Sequence, residues 1–192
     1  MMMDRRTFIA TAAAALATPS LAQGAGWITI FDGKSLDGWT KVGNAPIELT
    51  DGAAQAEKGN GNLVWKDPLS DFELRAEMYV SDDANSGIFV RFPEKEKPSS
   101  STGYEFNVFD KRPDPSYGTG AFVNVAKAAA PVKAGGKWNT LEIMCKGHEL
   151  TFKLNGQTTV DKARDEKHSK GYMSIQFGGG TVKFRKVEIR PL

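Results

Sequence analysis

The chain is poor in the residues that build disulfides and most transition-metal centres. Its 192 residues include one cysteine, Cys145, and two histidines, His148 and His168. A lone cysteine excludes an internal disulfide, and the apolar neighbours Ile143 and Met144 predict a buried, inert thiol. Two histidines disfavour a histidine-rich zinc site.

The sequence also has no excess of charge of one sign, and it has no long pattern typical of a helix. The formal net charge is +2 with no long basic run, so we expect no nucleic-acid partner. No strand, glycine-rich turn and helix follow one another as a nicotinamide-binding unit requires. With 40% apolar residues, the length predicts one globular domain that folds without a disulfide or a metal.

The first residues have the pattern of an export signal. Arg5 and Arg6 precede an apolar run over 9–17 that is too short to span a bilayer as a stable helix. Small residues at Ser20 and Ala22 are typical of a cleavage site. We expect a signal peptide of the twin-arginine type over 1–22, and a periplasmic domain over 23–192 without a transmembrane segment. An ordinary secretory signal headed by an arginine pair is the alternative.

Short alternating runs separated by turn residues fill the rest of the chain. The segment 71–80 alternates apolar and polar residues, as a strand with one buried face does. The dipeptide Asp51-Gly52 predicts a tight hairpin. We expect the charged stretch 161–169 to form a short helix or a solvated loop. The pattern as a whole predicts an all-β, antiparallel sandwich or barrel.

Two strand-like segments, 85–91 and 104–110, carry the candidate site. Strand alternation groups their polar and aromatic side chains on one face: Asn85, Gly87, Phe89 and Arg91 from the first segment, and Glu105, Asn107 and Phe109 from the second. Such a face suits a sugar, which needs hydrogen bonds at its edges and an apolar platform under its ring.

Six blocks in order resemble the bacterial 3-keto-disaccharide hydrolase domain family, also described as the 3-keto-glucoside-1,2-lyase/3-keto-2-hydroxyglucal hydratase family. They are 31–39 (FDGKSLDGW), 85–88, 104–105, 138–140, 154–156 and 184–192. The resemblance covers about the whole mature chain. It implies a two-sheet jelly-roll sandwich, concanavalin A-like as in family-16 glycosidases and legume lectins, with a concave ligand face.

The sequence departs from that family at two places. Relatives often have glutamine at the position of Asn107, and a histidine in the turn that follows the position of Gln176. Here Gln176 is followed by Phe177 and three glycines, so this histidine is absent. His168 is a candidate substitute for it.

The carboxylates do not match a standard glycosidase. Family-16 glycosidases use Glu-x-Asp-x-x-Glu on one strand, whereas Glu105 and Asp110 are five residues apart and alternate to opposite faces. The lyase chemistry that the resemblance implies needs one base and one group that stabilises an enolate. We assign Glu105 as the base, and Arg91 and Asn107 as the polar clamp or enolate stabiliser.

Other residues complete the expected site. The candidate substrate-binding residues are Asn85, Phe89, Asn107, Phe109, Gln176, Asp110 and Trp65. No cofactor is firmly implied, although Glu105 and a loop carboxylate such as Asp110 could hold a divalent cation. The plain alternative is that Arg91 and Glu105 form only a surface ion pair between strands.

These residues lead to three candidate functions. The first is a periplasmic enzyme that cleaves 3-keto-glucosides or 3-keto-disaccharides, supplied by a separate oxidoreductase that makes the ketone. The second is a noncatalytic, lectin-like carbohydrate-binding module, and the third is a structural or adhesion domain. Loops over 92–102 and 111–120 are expected to wall the site, and a deep groove between them favours the enzyme.

Overall fold

A computed structural model describes residues 26–192, so the expected signal peptide over 1–22 lies outside the described residues. The regular structure is thirteen β-strands and one short 3-10 turn, Pro115–Tyr117. The strands are β1 Ile28–Phe31, β2 Trp39–Gly43, β3 Glu48–Thr50, β4 Ala53–Ala56, β5 Gly61–Trp65, β6 Phe72–Val80, β7 Ser86–Phe92, β8 Tyr104–Val108, β9 Lys137–Lys146, β10 Glu149–Leu154, β11 Gln157–Arg164, β12 Tyr172–Phe177 and β13 Val182–Pro191.

The strands form two antiparallel sheets, which confirms the predicted all-β sandwich. The eight-stranded sheet has the order β11-β10-β9-β6-β13-β4-β3, and β1 pairs with β13. The five-stranded sheet has the order β2-β5-β12-β7-β8. Among residues 26–192, no helix is long and apolar enough to cross a membrane.

The core lies between the two sheets and follows from strand alternation. In β6, every second residue from Phe72 to Val80 is at most 2% exposed, as the alternating pattern predicts. Ile88, Phe106 and Ile175 of the five-stranded sheet belong to the same buried cluster. Burial of each large apolar side chain stabilises the fold by about 1.5–3 kcal/mol.

The charged stretch 161–169 differs from the expected short helix or loop. Its first four residues belong to β11, which continues through Arg164, and Arg164 pairs with Glu149 of β10. Exposed charges suit β11, since it is an edge strand.

Cys145 is buried as predicted, and burial raises the pKa of its thiol to about 12.

Candidate functional site

Two rows of side chains cross the outer face of the five-stranded sheet. Strand register places the members of the first row side by side in the order Asn62, Gln176, Gly87 and Asn107. The adjacent row has the order Val64, Ser174, Phe89 and Glu105. Neighbouring strands lie about 4.8 Å apart, so each row spans about 14 Å. Glu105 and Asn107 therefore share one face, as strand alternation predicts, and the register places Gln176 on the same face.

Glu105 is the buried acid of this face. It is 7% exposed and lies beside Phe89 across the strand pair. Burial raises the pKa of its carboxyl, and the charge of Arg112 and the hydroxyl of Ser100 oppose that rise without cancelling it. A desolvated carboxylate with a raised pKa is a stronger base than a surface glutamate, which is the property that proton abstraction requires.

The amide row contains two buried oxygens without a hydrogen-bond partner among the described residues. They are Oδ1 of Asn107 and Oε1 of Gln176. The Nδ2 of Asn107 is occupied, since it donates to the carbonyl of Tyr117 at 2.6 Å. A buried acceptor left unsatisfied costs about 1–3 kcal/mol, so two in one row are unusual. Both oxygens therefore keep unused acceptor capacity beneath the surface of this face.

Gly87 separates these two amides. A β-carbon added there would lie 2.5 Å from the carbonyl oxygen of Phe106, so the backbone of β8 leaves no room for a side chain. The space above Gly87 is consequently not filled from β7. At the end of the row, Asn62 is held by the hydroxyl of Ser174, which donates to its Oδ1 at 3.1 Å.

The expectation that Arg91 shares this face is wrong. Arg91 has a φ of +57°, and the pairing of β7 with β12 shifts register at the same place, so alternation is interrupted. The buried guanidinium pairs with Asp71 at 3.1 Å instead of with Glu105. It also donates to three backbone carbonyls, those of Ser70, Gly147 and His168. Arg91 thus fastens three loops and lies apart from the expected base.

Trp65 also lies away from the polar face. Its neighbour Val64 belongs to the outer row, so Trp65 is turned to the inner side, where its ring centroid is 5.3 Å from that of Trp39. The aromatic residue that the face does carry is Phe89, which is 5% exposed and clusters with Val64 and Phe92. The expected role of Trp65 as a sugar platform therefore has no geometric support.

Asp110 organises a loop. Its carboxylate accepts from the hydroxyl of Thr119 at 2.5 Å and from the backbone amides of Ala134 and Gly135. These bonds use the oxygens that a cation would need. Within residues 26–192, no group of three or more His, Cys, Asp or Glu side chains is placed to hold a metal ion.

The two remaining strand-end residues border the rows. Asn85 precedes β7, is partly exposed and exchanges backbone hydrogen bonds with the turn at Gly178 and Gly179. Phe109 follows β8 two residues after Asn107 and lines a cavity of about 470 Å³. Asn85 lies two residues before Gly87, in the middle of the amide row, and Phe109 lies beyond its Asn107 end.

His168, the candidate substitute for the absent histidine, does not lie on the face that carries Glu105. Its backbone amide donates to the hydroxyl of Tyr104 at 3.0 Å, and its ring meets the Tyr104 ring edge-on at 5.2 Å. Burial is the main cause that lowers the pKa of His168. Tyr104 precedes Glu105 in β8 and belongs to the core between the sheets, so His168 lies on the other side of this strand from Glu105.

Sequence reasoning missed three polar groups of this region, two near the expected base and one at the far end of the amide row. Arg112 and Ser100 come from the loops that follow and precede β8, and Asn62 is the second residue of β5. The loop residues follow no periodic pattern that would predict their position. Asn62 has a signal, because it alternates with the buried Leu63 and precedes Val64 on the outer face.

The expected wall loops are present, but a deep groove over Glu105 is not apparent. Cavities of about 470 Å³ and about 380 Å³ lie beside the end of β8 and on the outer face of the eight-stranded sheet. Neither is lined by Glu105, Asn107 or Gln176. The carboxylate is nearly covered in this conformation.

The chain is similar to known proteins along most of its length. Residues 26–190 match the family model of the 3-keto-alpha-glucoside-1,2-lyase-like domain. A 3-keto-disaccharide hydrolase of Bacteroides thetaiotaomicron is 32% identical over an alignment of 168 residues, gaps included, and the match covers 71% of this chain and 58% of that protein. The chain thus spans little more than half the length of this curated relative.

Solved structures show the same fold. A candidate glycosyl hydrolase from Parabacteroides distasonis ATCC 8503 superposes with a TM-score of 0.73 at 23% identity, over 88% of this chain and 100% of the other. The carbohydrate binding module CBM66 from Bacillus subtilis has a TM-score of 0.62 at 21% identity, over 78% and 93% of the two chains. Because the family model matches most of its length, the chain belongs to the 3-keto-alpha-glucoside-1,2-lyase-like domain family.

Proposed function

We propose that this protein cleaves 3-keto-glycosides, 3-keto-disaccharides included, by removing the proton at C2 and expelling the substituent at C1. The observation that carries the proposal is the buried Glu105, whose pKa is raised, beside a row of amides with two unpartnered oxygens. Family membership and the 3-keto-disaccharide hydrolase among its relatives support the choice of substrate.

The reaction follows from the chemistry of the ketone. A carbonyl at C3 acidifies the C2 proton, so one carboxylate can remove it. The resulting enolate re-forms the C3 carbonyl as C1 and C2 become doubly bonded, and the bond from C1 to the leaving oxygen breaks. The leaving oxygen takes up a proton, and addition of water across the double bond completes a net hydrolysis.

Proton removal and stabilisation of the enolate have candidate groups on or beside the outer face. Glu105 takes the C2 proton. The enolate needs hydrogen-bond donors or a cation, which the amide group of Gln176 and the charge of Arg112 provide. Arg112 takes over the role expected of Arg91, since its charge acts on Glu105. The free oxygens of Gln176 and Asn107 accept hydrogen bonds from sugar hydroxyls.

Substrate entry requires movement of a wall loop. Glu105 is 7% exposed, and Ser100 of the segment 93–103 lies close enough to affect its pKa. Displacement of this segment would open the face, as lids do in many enzymes. We further propose that the protein acts after export to the periplasm and depends on a separate oxidoreductase for its ketone.

A pair of chromogenic substrates tests the proposal. Purified protein is incubated with 4-nitrophenyl 3-keto-glucoside and with the unoxidised glucoside, each with and without a chelator. We expect nitrophenol from the keto substrate alone, and a fall in rate of about 10²–10⁴-fold in Glu105→Gln. Glu57→Gln, which changes an exposed glutamate in the same way, is the matched control and should keep the rate.

The other outcomes have distinct meanings. Release from both substrates would indicate an ordinary glycosidase. Loss of release when the chelator is added would indicate that the reaction depends on a metal ion. Release from neither, together with saturable sugar binding by calorimetry, would favour a noncatalytic binding module, because the amide row can bind a sugar without any chemistry.

A further inference from the structure

The cavity beside the end of β8 has no role in the chemistry above. It measures about 470 Å³, within the range of sites for small molecules. Its apolar lining comes from Phe109, the alanines at 128–130, Pro131 and Val132. Such a lining suits a single ring.

Cations surround this apolar lining. Arg112, Lys127 and Lys133 line the cavity, and none of them forms an ion pair within the part of the chain that the structure describes. The carboxylate that also lines it, Asp110, already accepts the hydroxyl of Thr119 and two backbone amides. The cavity therefore presents more free positive than free negative charge.

One more acid lies near the rim. The carboxylate of Asp114 accepts a hydrogen bond from the backbone amide of Ser116 at 3.0 Å. That bond is the main cause that lowers the pKa of Asp114, and the charges of Arg112 and Lys127 contribute. Asp114 thus offsets part of the positive charge but leaves three cations against one exposed acid.

The cavity adjoins the expected base. Arg112 lines the cavity and also acts on the carboxyl of Glu105. Phe109 lies two residues beyond Asn107 on the same chain segment. The loop that contains Tyr117 lines the cavity, and the side chain of Asn107 holds this loop to β8 by donating a hydrogen bond to the carbonyl of Tyr117. A sugar over the two rows would have its leaving group close to this cavity.

We propose that the cavity receives the group that departs from C1, and that its cations select a leaving group with a carboxylate on a ring. This inference rests on the proposed function, which places the sugar over the two rows and its leaving group beside them. The ring fills the apolar lining while the carboxylate meets Lys127, Lys133 and Arg112.

Matched substrates test the selection. The 3-keto-glucosides of 4-nitrophenol and of 5-hydroxy-2-nitrobenzoate differ in one carboxylate. We expect kcat/KM to be higher for the carboxylate substrate, with the preference weakened by salt. In the double variant Lys127→Gln/Lys133→Gln the ratio of the two kcat/KM values should fall about tenfold, mainly through KM. Lys58→Gln/Lys146→Gln removes the same charge from exposed sites outside the cavity and should leave the ratio unchanged.

Binding of the free leaving group separates this inference from the proposed function. Calorimetry with 5-hydroxy-2-nitrobenzoate should show saturable binding to the wild type, about tenfold weaker in the Lys127→Gln/Lys133→Gln variant. If neither glycoside is cleaved, this titration alone decides: binding that the lysine variant weakens would support the anion site while the proposed function fails. Equal kcat/KM values for the two substrates, or no binding of the free acid, would overturn the inference.

Discussion

Glu105 combines two opposing demands on one side chain. Its carboxyl is 7% exposed, and burial raises its pKa above the ordinary value of 4.5. When ionised in that position, Glu105 is a better base than a surface glutamate, but its buried charge destabilises the folded state. An acid that strains the native state in this way is common at functional sites.

This conflict makes stability depend on pH in a defined direction. Because the folded-state pKa is raised, the contribution of Glu105 is fully favourable below its ordinary pKa and is lost as pH rises through the folded-state value. We expect Glu105→Gln to melt at a higher temperature than the wild type at pH 7, although it is inactive. The difference should vanish below about pH 4. Thermal unfolding across that range measures this, and a variant that melts lower at pH 7 would contradict it.

At the level of single residues, sequence reasoning succeeded where alternation continues. Glu105 and Asn107 share one face, as the strand pattern predicts, and the register places Gln176 on the same face. Their chemical roles remain predictions. Arg112 and Ser100 could not be found in this way, because a loop residue approaches the site through tertiary contacts and leaves no periodic signal.

Among the strands, β7 shows how one irregularity changes the site. Its first residues alternate, with Ile88 in the core and Phe89 on the outer face. The bulge at Arg91 then turns a cation expected beside Glu105 toward the loops at Ser70 and Gly147. A bulge depends on the partner strand as well as on its own sequence, which is why alternation alone did not predict it.

The buried guanidinium of Arg91 gives a prediction for this bulge. Arg91→Ala removes a fully buried guanidinium and its hydrogen bonds to the carbonyls of Ser70, Gly147 and His168, while Asp71 keeps the backbone amide of Gly147. We expect the free energy of unfolding, measured by urea denaturation, to fall by at least about 1.5–3 kcal/mol, the value of one hydrogen bond to a charged group. Arg185→Ala, which removes an exposed arginine paired with Glu77, should cost about 0–1 kcal/mol. Equal effects of the two substitutions would show that Arg91 does not fasten the loops.

Across the whole molecule, the fold class was more accessible to sequence reasoning than the site. The alternation of β6 and the hairpin at Asp51-Gly52 both reappear, because each depends on local residues. The continuation of β11 through Arg164 was missed, since charged residues on an exposed edge strand resemble those of a solvated loop. The two rows depend on register across four strands, which no local pattern specifies.

This two-layer arrangement leaves the outer face of the five-stranded sheet available for chemistry. The apolar core lies on the opposite side of this sheet from Glu105, Asn107 and Gln176. Related sandwiches include both a candidate hydrolase and a binding module, so the fold does not decide between catalysis and binding.

The most direct test of the central claim is the isotope effect at C2. Nitrophenol release is measured from 4-nitrophenyl 3-keto-glucoside with hydrogen and with deuterium at that carbon, under conditions where the chemical step limits kcat/KM. Abstraction of the C2 proton by Glu105 predicts clearly slower release from the deuterated substrate. Equal rates for the two substrates would contradict the proposed elimination and favour direct cleavage at C1.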